Sequence, residues 1–283
     1  MGWTIRSVLS WSKQYLQDKG IESPRLDTEI LLARALGIKR IDLYLDMDRP
    51  LMDDELGAYR GLLKRRAGKE PIAYILGEKE FYSRVFLVNE HVLIPRPETE
   101  LLVEQTIERA PKGAHILEMG VGSGAVIVSV LAERDDLTGT GSDINAQAVA
   151  VAQENARAHS VSKRVRFFVG DGLAAIGTRF PLIVMNPPYI SRAEAAELQE
   201  DVILHEPHSA LFGGNDGLDI IKEILMNVGR HLCSKGVFVM EAGYRQKDAI
   251  EELVRSAEGI HTSAWIKDLS GIERVLIVER SDG

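Results

Sequence analysis

Apolar residues recur at helical spacing through the first part of the chain. Ile5, Val8 and Leu16 fall on one face of a first helical segment. Ser23-Pro24 is typical of a second helix start, with a capping residue before a proline at the first helical position. Because the predicted helices are short and closely spaced, we expect residues 1–77 to form a small helical bundle.

The pattern changes to strand-like alternation near residue 81. Residues 81–88 and 91–94 predict two strands joined by a turn near Asn89-Glu90, and the prolines that follow end the second strand. We therefore expect a β-hairpin within residues 78–97, which would link the helical bundle to the remainder of the chain.

Short apolar runs then alternate with amphipathic segments. The predicted strands are residues 115–119, 138–143, 165–169, 181–185, 236–241, 273–279 and, more weakly, 261–267. The predicted helices are residues 98–109, 124–133, 145–158, 217–231 and 245–256. This alternation predicts an α/β domain over residues 98–283 with a mostly parallel sheet. Ligands in such folds bind beyond the carboxyl ends of the strands.

A glycine-rich loop follows the first strand of this domain. It reads Gly120-Val121-Gly122-Ser123-Gly124 and opens a helix; glycines there let a ligand approach the backbone. Asp143 ends the next strand, where a carboxylate can accept both ribose hydroxyls of an adenosine. By itself the loop also satisfies a dinucleotide fingerprint, so a nicotinamide-dependent oxidoreductase remains an alternative.

Acidic residues near the loop favour S-adenosylmethionine over a dinucleotide. Glu118 precedes the loop, where it could bind the ammonium group of a methionine moiety, whereas a pyrophosphate would gain nothing from it. Asp171 follows the third strand and could accept from an adenine amino group. Ile144, beside the ribose-binding carboxylate, and Gly172 complete the predicted cofactor site.

The tetrapeptide Asn186-Pro187-Pro188-Tyr189 follows an apolar strand and is the strongest chemical signal. Its prolines remove two N–H donors and stiffen the loop. We expect the two hydrogens of a planar NH2 group to go to the Asn186 oxygen and the Pro187 carbonyl, while Tyr189 covers the plane. Such acceptors raise electron density on a weakly nucleophilic nitrogen and hold that nitrogen in line with the sulfonium methyl group of S-adenosylmethionine. Asn186 would also border the cofactor. No metal is required.

These motifs resemble the class I S-adenosylmethionine-dependent methyltransferases that act on planar nitrogens, and most of all the release-factor glutamine methyltransferases (the HemK/PrmC family). The resemblance spans nearly the whole chain. Its further matching segments are Ile94-Pro95-Arg96-Pro97-Glu98-Thr99-Glu100, Glu206-Pro207, Ala210-Leu211-Phe212, Gly213-Gly214-Asn215-Asp216-Gly217-Leu218 and Glu273-Arg274-Val275.

The resemblance implies a small helical domain for recognition of the protein substrate, a hairpin linker and a seven-stranded Rossmann-like methyltransferase domain. It implies methyl transfer from S-adenosylmethionine to the amide nitrogen of the glutamine in the Gly-Gly-Gln motif of class I peptide release factors, with S-adenosylhomocysteine as product. Two positions depart from the family pattern. Glu118 stands where many members have aspartate, and Gly172 where some have an aromatic residue, so Leu173 is expected to pack on adenine instead.

Charge narrows the alternatives. The chain has a formal net charge of −8, and residues 81–283 carry 20 basic and 29 acidic residues. An adenine-N6 DNA methyltransferase would bring a basic DNA-reading region, so direct nucleic-acid binding is disfavoured. A glutamine methyltransferase for a ribosomal protein shares the tetrapeptide and remains an alternative, although Arg96-Pro97-Glu98-Thr99-Glu100 favours the release-factor branch.

The remaining sequence features predict an ordinary cytoplasmic protein. Cys233 is the single cysteine, so no internal disulfide forms, and neither a signal peptide nor a membrane-spanning run is visible. His205-Glu206-Pro207-His208 lacks the spacing of a helical metal site, and no metal is expected. Lys64-Arg65-Arg66 is interpreted as a solvated helix face, or else a release-factor contact. We expect a monomer.

Overall fold

The computed structural model describes residues 2–281. The helices are α1 (Ile5–Asp18), α2 (Pro24–Leu36), α3 (Asp53–Ala67), α4 (Ile72–Leu76), α5 (Glu100–Arg109), α6 (Ala125–Glu133), α7 (Ala146–Ala158), α8 (Glu200–His205), α9 (His208–Leu211), α10 (Asp219–Val228) and α11 (Lys247–Ser256). The strands are β1 (Glu78–Phe81), β2 (Arg84–Leu87), β3 (His115–Met119), β4 (Thr138–Asp143), β5 (Val165–Val169), β6 (Phe180–Met185), β7 (Leu232–Glu241), β8 (Ile260–Lys267) and β9 (Glu273–Arg280). Short 3-10 turns cover Arg40–Tyr44, Pro97–Thr99, Gly172–Ala175 and Glu194–Glu197.

The chain divides into two compact units. The first runs to Gly77 and also includes Gln199–His205. The second comprises Glu78–Leu198 and the chain from Glu206 onward. Each unit has its own hydrophobic core. None of the described helices is both long and apolar enough to cross a lipid bilayer.

The first unit is built on α1–α4, whose apolar stripes meet in one core. Leu16, Leu31 and Tyr59 are buried there. An ion pair crosses the same unit, with Arg66 Nε 2.7 Å from Asp27 Oδ2 and both side chains buried. The interpretation of Lys64-Arg65-Arg66 as a solvated face is therefore wrong at Arg66, because a buried guanidinium needs a carboxylate partner.

The segment Gln199–His205 belongs to the first unit although it follows the tetrapeptide in sequence. Asp201 Oδ2 lies 3.4 Å from Arg66 Nη1, and Glu200 Oε2 lies 3.1 Å from Lys69 Nζ. Nothing in the sequence pattern predicted this placement. The side chains of α8 that carry it are polar, whereas hydrophobic periodicity reports only apolar contacts.

The predicted hairpin exists, but its turn is misplaced. Strands β1 and β2 pair antiparallel, and Tyr82 and Ser83 form the turn with φ of +49° and +56°. A turn is present at residues 89–92, where the N–H of Val92 donates to the carbonyl of Asn89 at 3.1 Å, but the expected strand at residues 91–94 is wrong, so this turn does not close a hairpin. An aromatic residue such as Tyr82 favours a strand by its intrinsic propensity, yet the backbone reverses its direction there. The hairpin lies in the second unit, where Phe86 is fully buried.

A seven-stranded sheet forms the centre of the second unit, in the order β5-β4-β3-β6-β7-β9-β8. The strands from β5 to β7 are parallel, and β9 runs antiparallel to both of its neighbours. The predicted α/β fold with a mostly parallel seven-stranded sheet is confirmed. Strand order reverses between β3 and β6, so the glycine loop and the tetrapeptide emerge side by side at the crevice where ligands bind.

Helices cover both faces of this sheet, as the near-continuous apolar character of its strands requires. Along β3, Ile116 belongs to one core cluster, whereas Leu117 and Met119 belong to the other. This division follows from the alternation of side chains across a strand. With both faces buried, polar groups of the central strands are accessible at their carboxyl ends, which is where the site lies.

Candidate active site

One cavity brings together most of the predicted site residues at the carboxyl ends of β3–β6. Its wall contains Glu118, Gly120, Val121, Gly122, Ser123, Asp143, Ile144, Asp171, Gly172, Asn186 and Pro188. Gly124, Pro187 and Tyr189 lie beside the cavity and not in its wall. The wall also contains residues that sequence reasoning did not assign, among them Thr99, Glu223 and Ile224.

Asp143 organises the glycine loop. Its Oδ2 accepts a hydrogen bond of 2.9 Å from the N–H of Gly122, and its Oδ1 accepts one of 2.9 Å from Asn145. Gly122 has φ of +51°, which an L side chain rarely adopts. Each carboxylate oxygen keeps a second lone pair, so Asp143 can still accept from a bound ligand while its orientation is fixed.

Asn155 of α7 supports the loop from behind. Its fully buried amide donates to the carbonyl of Ser123 at 2.8 Å and accepts from the N–H of Leu87 at 2.8 Å. Gly124 packs against α7 through Ala152, which explains its place outside the cavity wall. Sequence reasoning missed Asn155; its only signal was a polar residue among the alanines of a buried helix face.

Glu118 is buried at the base of the cavity. Its Oε2 accepts a hydrogen bond of 2.8 Å from the N–H of Ile127, one of the free donors in the first turn of α6. Burial, assisted by the charge of Asp143, raises the pKa of Glu118 to about 8. An ammonium group beside this carboxyl would favour its ionised form, because the cation compensates the charge that burial penalises.

The apolar part of the wall differs from the expectation. Leu173 is buried in the core of the unit and does not line the cavity, so its predicted contact with adenine is wrong. The 3-10 turn Gly172–Ala175 directs Leu173 inward. Beside Gly172 stands Ile224, which a Cβ at that glycine would approach to 3.5 Å. Ile144 also lines the cavity and is 58% exposed, which suits a planar apolar ligand.

The tetrapeptide backbone is packed against the Gly213–Gly217 loop. A Cβ at Gly213 would lie 2.3 Å from the carbonyl oxygen of Pro188. A Cβ at Gly217 would lie 2.2 Å from the carbonyl oxygen of Tyr189. Because real Cβ atoms do not come so close, glycine is required at both positions. The Gly213-Gly214-Asn215-Asp216-Gly217 motif therefore serves to hold the tetrapeptide in place.

Tyr189 is held at both ends. Its hydroxyl lies 3.3 Å from Oε1 of Glu241, and its carbonyl accepts a hydrogen bond of 2.9 Å from Gln246. The ring packs against the second core cluster of the unit, and burial raises the pKa of the hydroxyl. The predicted packing of this ring on a substrate amide stays a prediction.

Known proteins are similar to this chain over nearly its whole length. The release factor glutamine methyltransferase of Geobacter sulfurreducens is 42% identical over 97% of this chain and 96% of its own. That of Caulobacter vibrioides is 38% identical over 97% and 96%. Models of the PrmC N-terminal domain and the methyltransferase small domain match residues 7–77 and 97–215. The chain belongs to the release factor glutamine methyltransferases.

A solved structure agrees on the fold of this chain. A methyltransferase from Pyrococcus furiosus superposes with a TM-score of 0.55 at 18% identity, covering 77% of this chain and 98% of its own. The predicted family and the prediction of a methyltransferase are confirmed by the relatives. The ribosomal-protein, DNA and oxidoreductase alternatives are not favoured.

Two of the family segments meet at an ion pair between the buried Glu206 and Arg96, whose side chain is 32% exposed. Glu206 is 3% exposed, and its Oε1 accepts a hydrogen bond of 2.6 Å from Arg96. Its Oε2 accepts from the N–H of Ile94 at 3.1 Å. Arg96 and Pro207 both line the cavity. The ion pair therefore builds one wall of the site, which accounts for Glu206-Pro207 without a metal.

Proposed function

We propose that this chain transfers a methyl group from S-adenosylmethionine to the side-chain amide nitrogen of the glutamine in the Gly-Gly-Gln motif of class I peptide release factors. The observation that carries the proposal is the place of Asn186. Asn186 lines the same cavity as Gly122 and Asp143, so the tetrapeptide and the glycine loop face one space.

The residues of the cavity fit S-adenosylmethionine. Asp143 would accept the ribose hydroxyls with its remaining lone pairs, and Glu118 would receive the ammonium group. Asp171 would accept from the adenine amino group, with Ile144 and Ile224 against the ring. When bound, this cofactor supplies an electrophilic methyl group on a sulfonium sulfur.

The tetrapeptide would orient and activate the glutamine amide. Asn186 Oδ1 and the Pro187 carbonyl are the proposed acceptors for its two hydrogens, since the Pro188 carbonyl is packed against Gly213. An N–CH3 bond forms as the S–CH3 bond breaks, the nitrogen gives up one proton to water, and S-adenosylhomocysteine remains. Tyr189 is proposed to flank the amide.

The first unit is proposed to recognise the release factor. It exposes large apolar side chains, including Trp11, Ile41 and Leu45, and aromatic residues are enriched at protein interfaces. Trp3 and Trp11 also line a cavity of this unit together with Lys64. A release-factor substrate would place the enzyme in the cytoplasm, and we keep the expectation of a monomer.

Transfer of labelled methyl groups to a purified class I release factor tests the proposed substrate. We expect label on the release factor with an intact Gly-Gly-Gln glutamine and none on a variant in which alanine replaces that glutamine. Mass spectrometry should locate the label on the glutamine peptide. Equal labelling of both release factors would overturn the site assignment, and labelling of neither would overturn the substrate.

Replacing the ribose-binding carboxylate should weaken cofactor binding. Asp143→Ala is expected to raise the Kd for S-adenosylmethionine about 10- to 100-fold, since a hydrogen bond to a charged group is worth about 1.5–3 kcal/mol. Asp135→Ala is the matched control; its carboxylate is exposed and lies outside the cavity wall, so the Kd for S-adenosylmethionine should stay within twofold of the wild type. Isothermal calorimetry measures both. A Kd for Asp143→Ala within threefold of the wild type would contradict the assignment of Asp143 to the ribose. Competition by NAD for the same cavity would contradict the assignment of S-adenosylmethionine as the cofactor.

A further inference from the structure

The first unit contains a cavity of about 350 Å³ that the proposed reaction does not use. Trp3, Trp11 and Tyr15 line it, and Leu56 and Leu63 of α3 are part of its wall as well. A cavity of about 150 Å³ admits a benzene ring, so this one has room for a large side chain together with part of its backbone. Its size and its apolar wall are those of a ligand site.

The aromatic residues of this cavity hold one another in place. The rings of Trp11 and Tyr15 are stacked, with centroids 5.2 Å apart and an angle of 9° between their planes. Trp3 meets Trp11 edge-on, with the ring centroids 6.2 Å apart. Both tryptophans nevertheless stay accessible, since Trp3 is 36% and Trp11 52% exposed. Rings that are already fixed lose little freedom when a partner covers them, which favours binding.

Two cations of α3 line the same cavity. Arg60 and Lys64 are exposed, and neither forms an ion pair with another residue in the range 2–281. The next two arginines of the helix, Arg65 and Arg66, are both paired with carboxylates. None of the described residues in the cavity wall is acidic. Because like charges four residues apart on a helix repel each other, an anionic partner would relieve a cost that the free protein bears.

We propose that this cavity binds an acidic segment of the release factor. One large apolar side chain of that segment would enter between the aromatic rings and α3, and its carboxylates would pair with Arg60 and Lys64. This inference rests on the proposed function and deepens it, because it assigns recognition of the protein substrate to a defined site in the first unit. Tryptophan, tyrosine and arginine, which the site combines, are the residues that dominate the energetics of protein interfaces.

The charge of the site favours a protein segment over a nucleic acid, which aromatic rings and cations can also bind. A nucleic acid is held along its backbone by many phosphate contacts, and these supply much of the affinity. Here the wall contributes two cations, and the chain as a whole has a formal net charge of −8. One or two carboxylates beside an apolar side chain match this arrangement, whereas a row of phosphates does not.

A matched pair of variants tests the aromatic part of the site. Trp11→Ala removes the ring that stacks on Tyr15, whereas Trp11→Phe keeps an aromatic ring there. We expect Trp11→Ala to raise the Kd for the release factor about 30-fold, as loss of a central interface tryptophan does, and Trp11→Phe to raise it less than about fivefold. Isothermal calorimetry with S-adenosylhomocysteine present measures both without turnover. A Kd for Trp11→Ala within threefold of the wild type, or equal losses in the two variants, would overturn the proposal.

Reversal of both cations tests the charge. The double variant Arg60→Glu, Lys64→Glu is expected to raise the Kd for the release factor about tenfold at low ionic strength, since attraction becomes repulsion. Added salt should narrow its difference from the wild type, because screening weakens both. The matched control is Lys13→Glu, on an exposed residue of α1 outside the cavity wall, whose Kd should stay within twofold. A double variant that binds as tightly as this control, or a difference that salt leaves unchanged, contradicts the proposal.

A photo-crosslink identifies the segment that enters the cavity. With p-benzoylphenylalanine in place of Trp3, irradiation of the complex and mass spectrometry should yield a release-factor peptide in which aspartate or glutamate flanks a large apolar side chain. The yield should fall when Arg60→Glu and Lys64→Glu are added. A crosslink to a basic segment or to a second copy of this chain overturns the proposal, as does a single-stranded RNA that competes with the release factor for the cavity.

The binding site and the proposed reaction can fail separately. A release factor that binds through the cavity but takes up no label would overturn the reaction and leave the binding site standing. A release factor that is labelled at its glutamine and binds Trp11→Ala as tightly as the wild type would leave the reaction standing and remove the cavity from substrate recognition.

Discussion

Replacing Asn186 by alanine is expected to lower kcat for methyl transfer about 10²- to 10³-fold, the usual cost of one preorganised polar group at a reacting centre. The amide oxygen that accepts from the substrate is lost, and water cannot replace it at a fixed angle. The Kd for S-adenosylmethionine should stay within threefold, because the Asp143 loop is untouched. Single-turnover kinetics with saturating cofactor and release factor measure the chemical step.

The control for this prediction is Asn227→Ala. Asn227 lies on α10 and donates to the carbonyl of Glu223 at 2.8 Å, so its loss removes an asparagine of similar exposure without touching the tetrapeptide. Its kcat should remain within twofold of the wild type. If Asn186→Ala instead loses cofactor affinity and kcat to the same extent, Asn186 mainly holds the cofactor.

Replacing Arg96 by methionine is expected to destabilise the second unit by about 3 kcal/mol, because it leaves the buried carboxylate of Glu206 without its cation. Hydrogen exchange of amides in β3 and β6, followed by mass spectrometry, measures the free energy of opening in that unit. The same variant should weaken cofactor binding, since Arg96 lines the cavity.

A double variant separates charge from packing at this wall. Glu206→Gln keeps an acceptor for the N–H of Ile94 but carries no charge, so adding it to Arg96→Met removes the unpaired charge. We expect the double variant to recover more than half of the stability lost in Arg96→Met. If it is no more stable than Arg96→Met, the loss arises from packing of the arginine stem and not from the ion pair.

Local patterns predicted much of the second unit. The strands 115–119, 138–143 and 165–169 are found at the predicted positions. Their apolar runs are buried on both faces, so the pattern is strong and needs no knowledge of the partners. The secondary-structure predictions failed where a single residue departs from its local propensity. Tyr82 is the example, because its positive φ places a turn within a strand-like sequence.

The candidate site shows the same division. The glycine loop, Asp143 and the tetrapeptide could be assigned from sequence because each sits directly after a strand. The residues that support them could not be assigned in this way. Asn155, Glu206 and Glu241 come from distant parts of the chain, and each is buried only because the sheet and its connections bring it to the crevice. The position of a buried polar residue follows no hydrophobic periodicity, so the sequence does not reveal its hydrogen-bond partner.

Sequence by itself determined the two kinds of architecture, the order of strands and helices in the second unit, and the chemistry gathered at the strand ends, because these depend on residue type and short spacing. Tertiary structure alone decided that Leu173 turns inward, that Gln199–His205 joins the first unit, and that the hydroxyl of Thr99 lies 3.3 Å from Nδ2 of Asn186. The physical reason is that hydrogen bonds and packing act over a few ångströms in space, and residues far apart in sequence become neighbours only when the sheet forms.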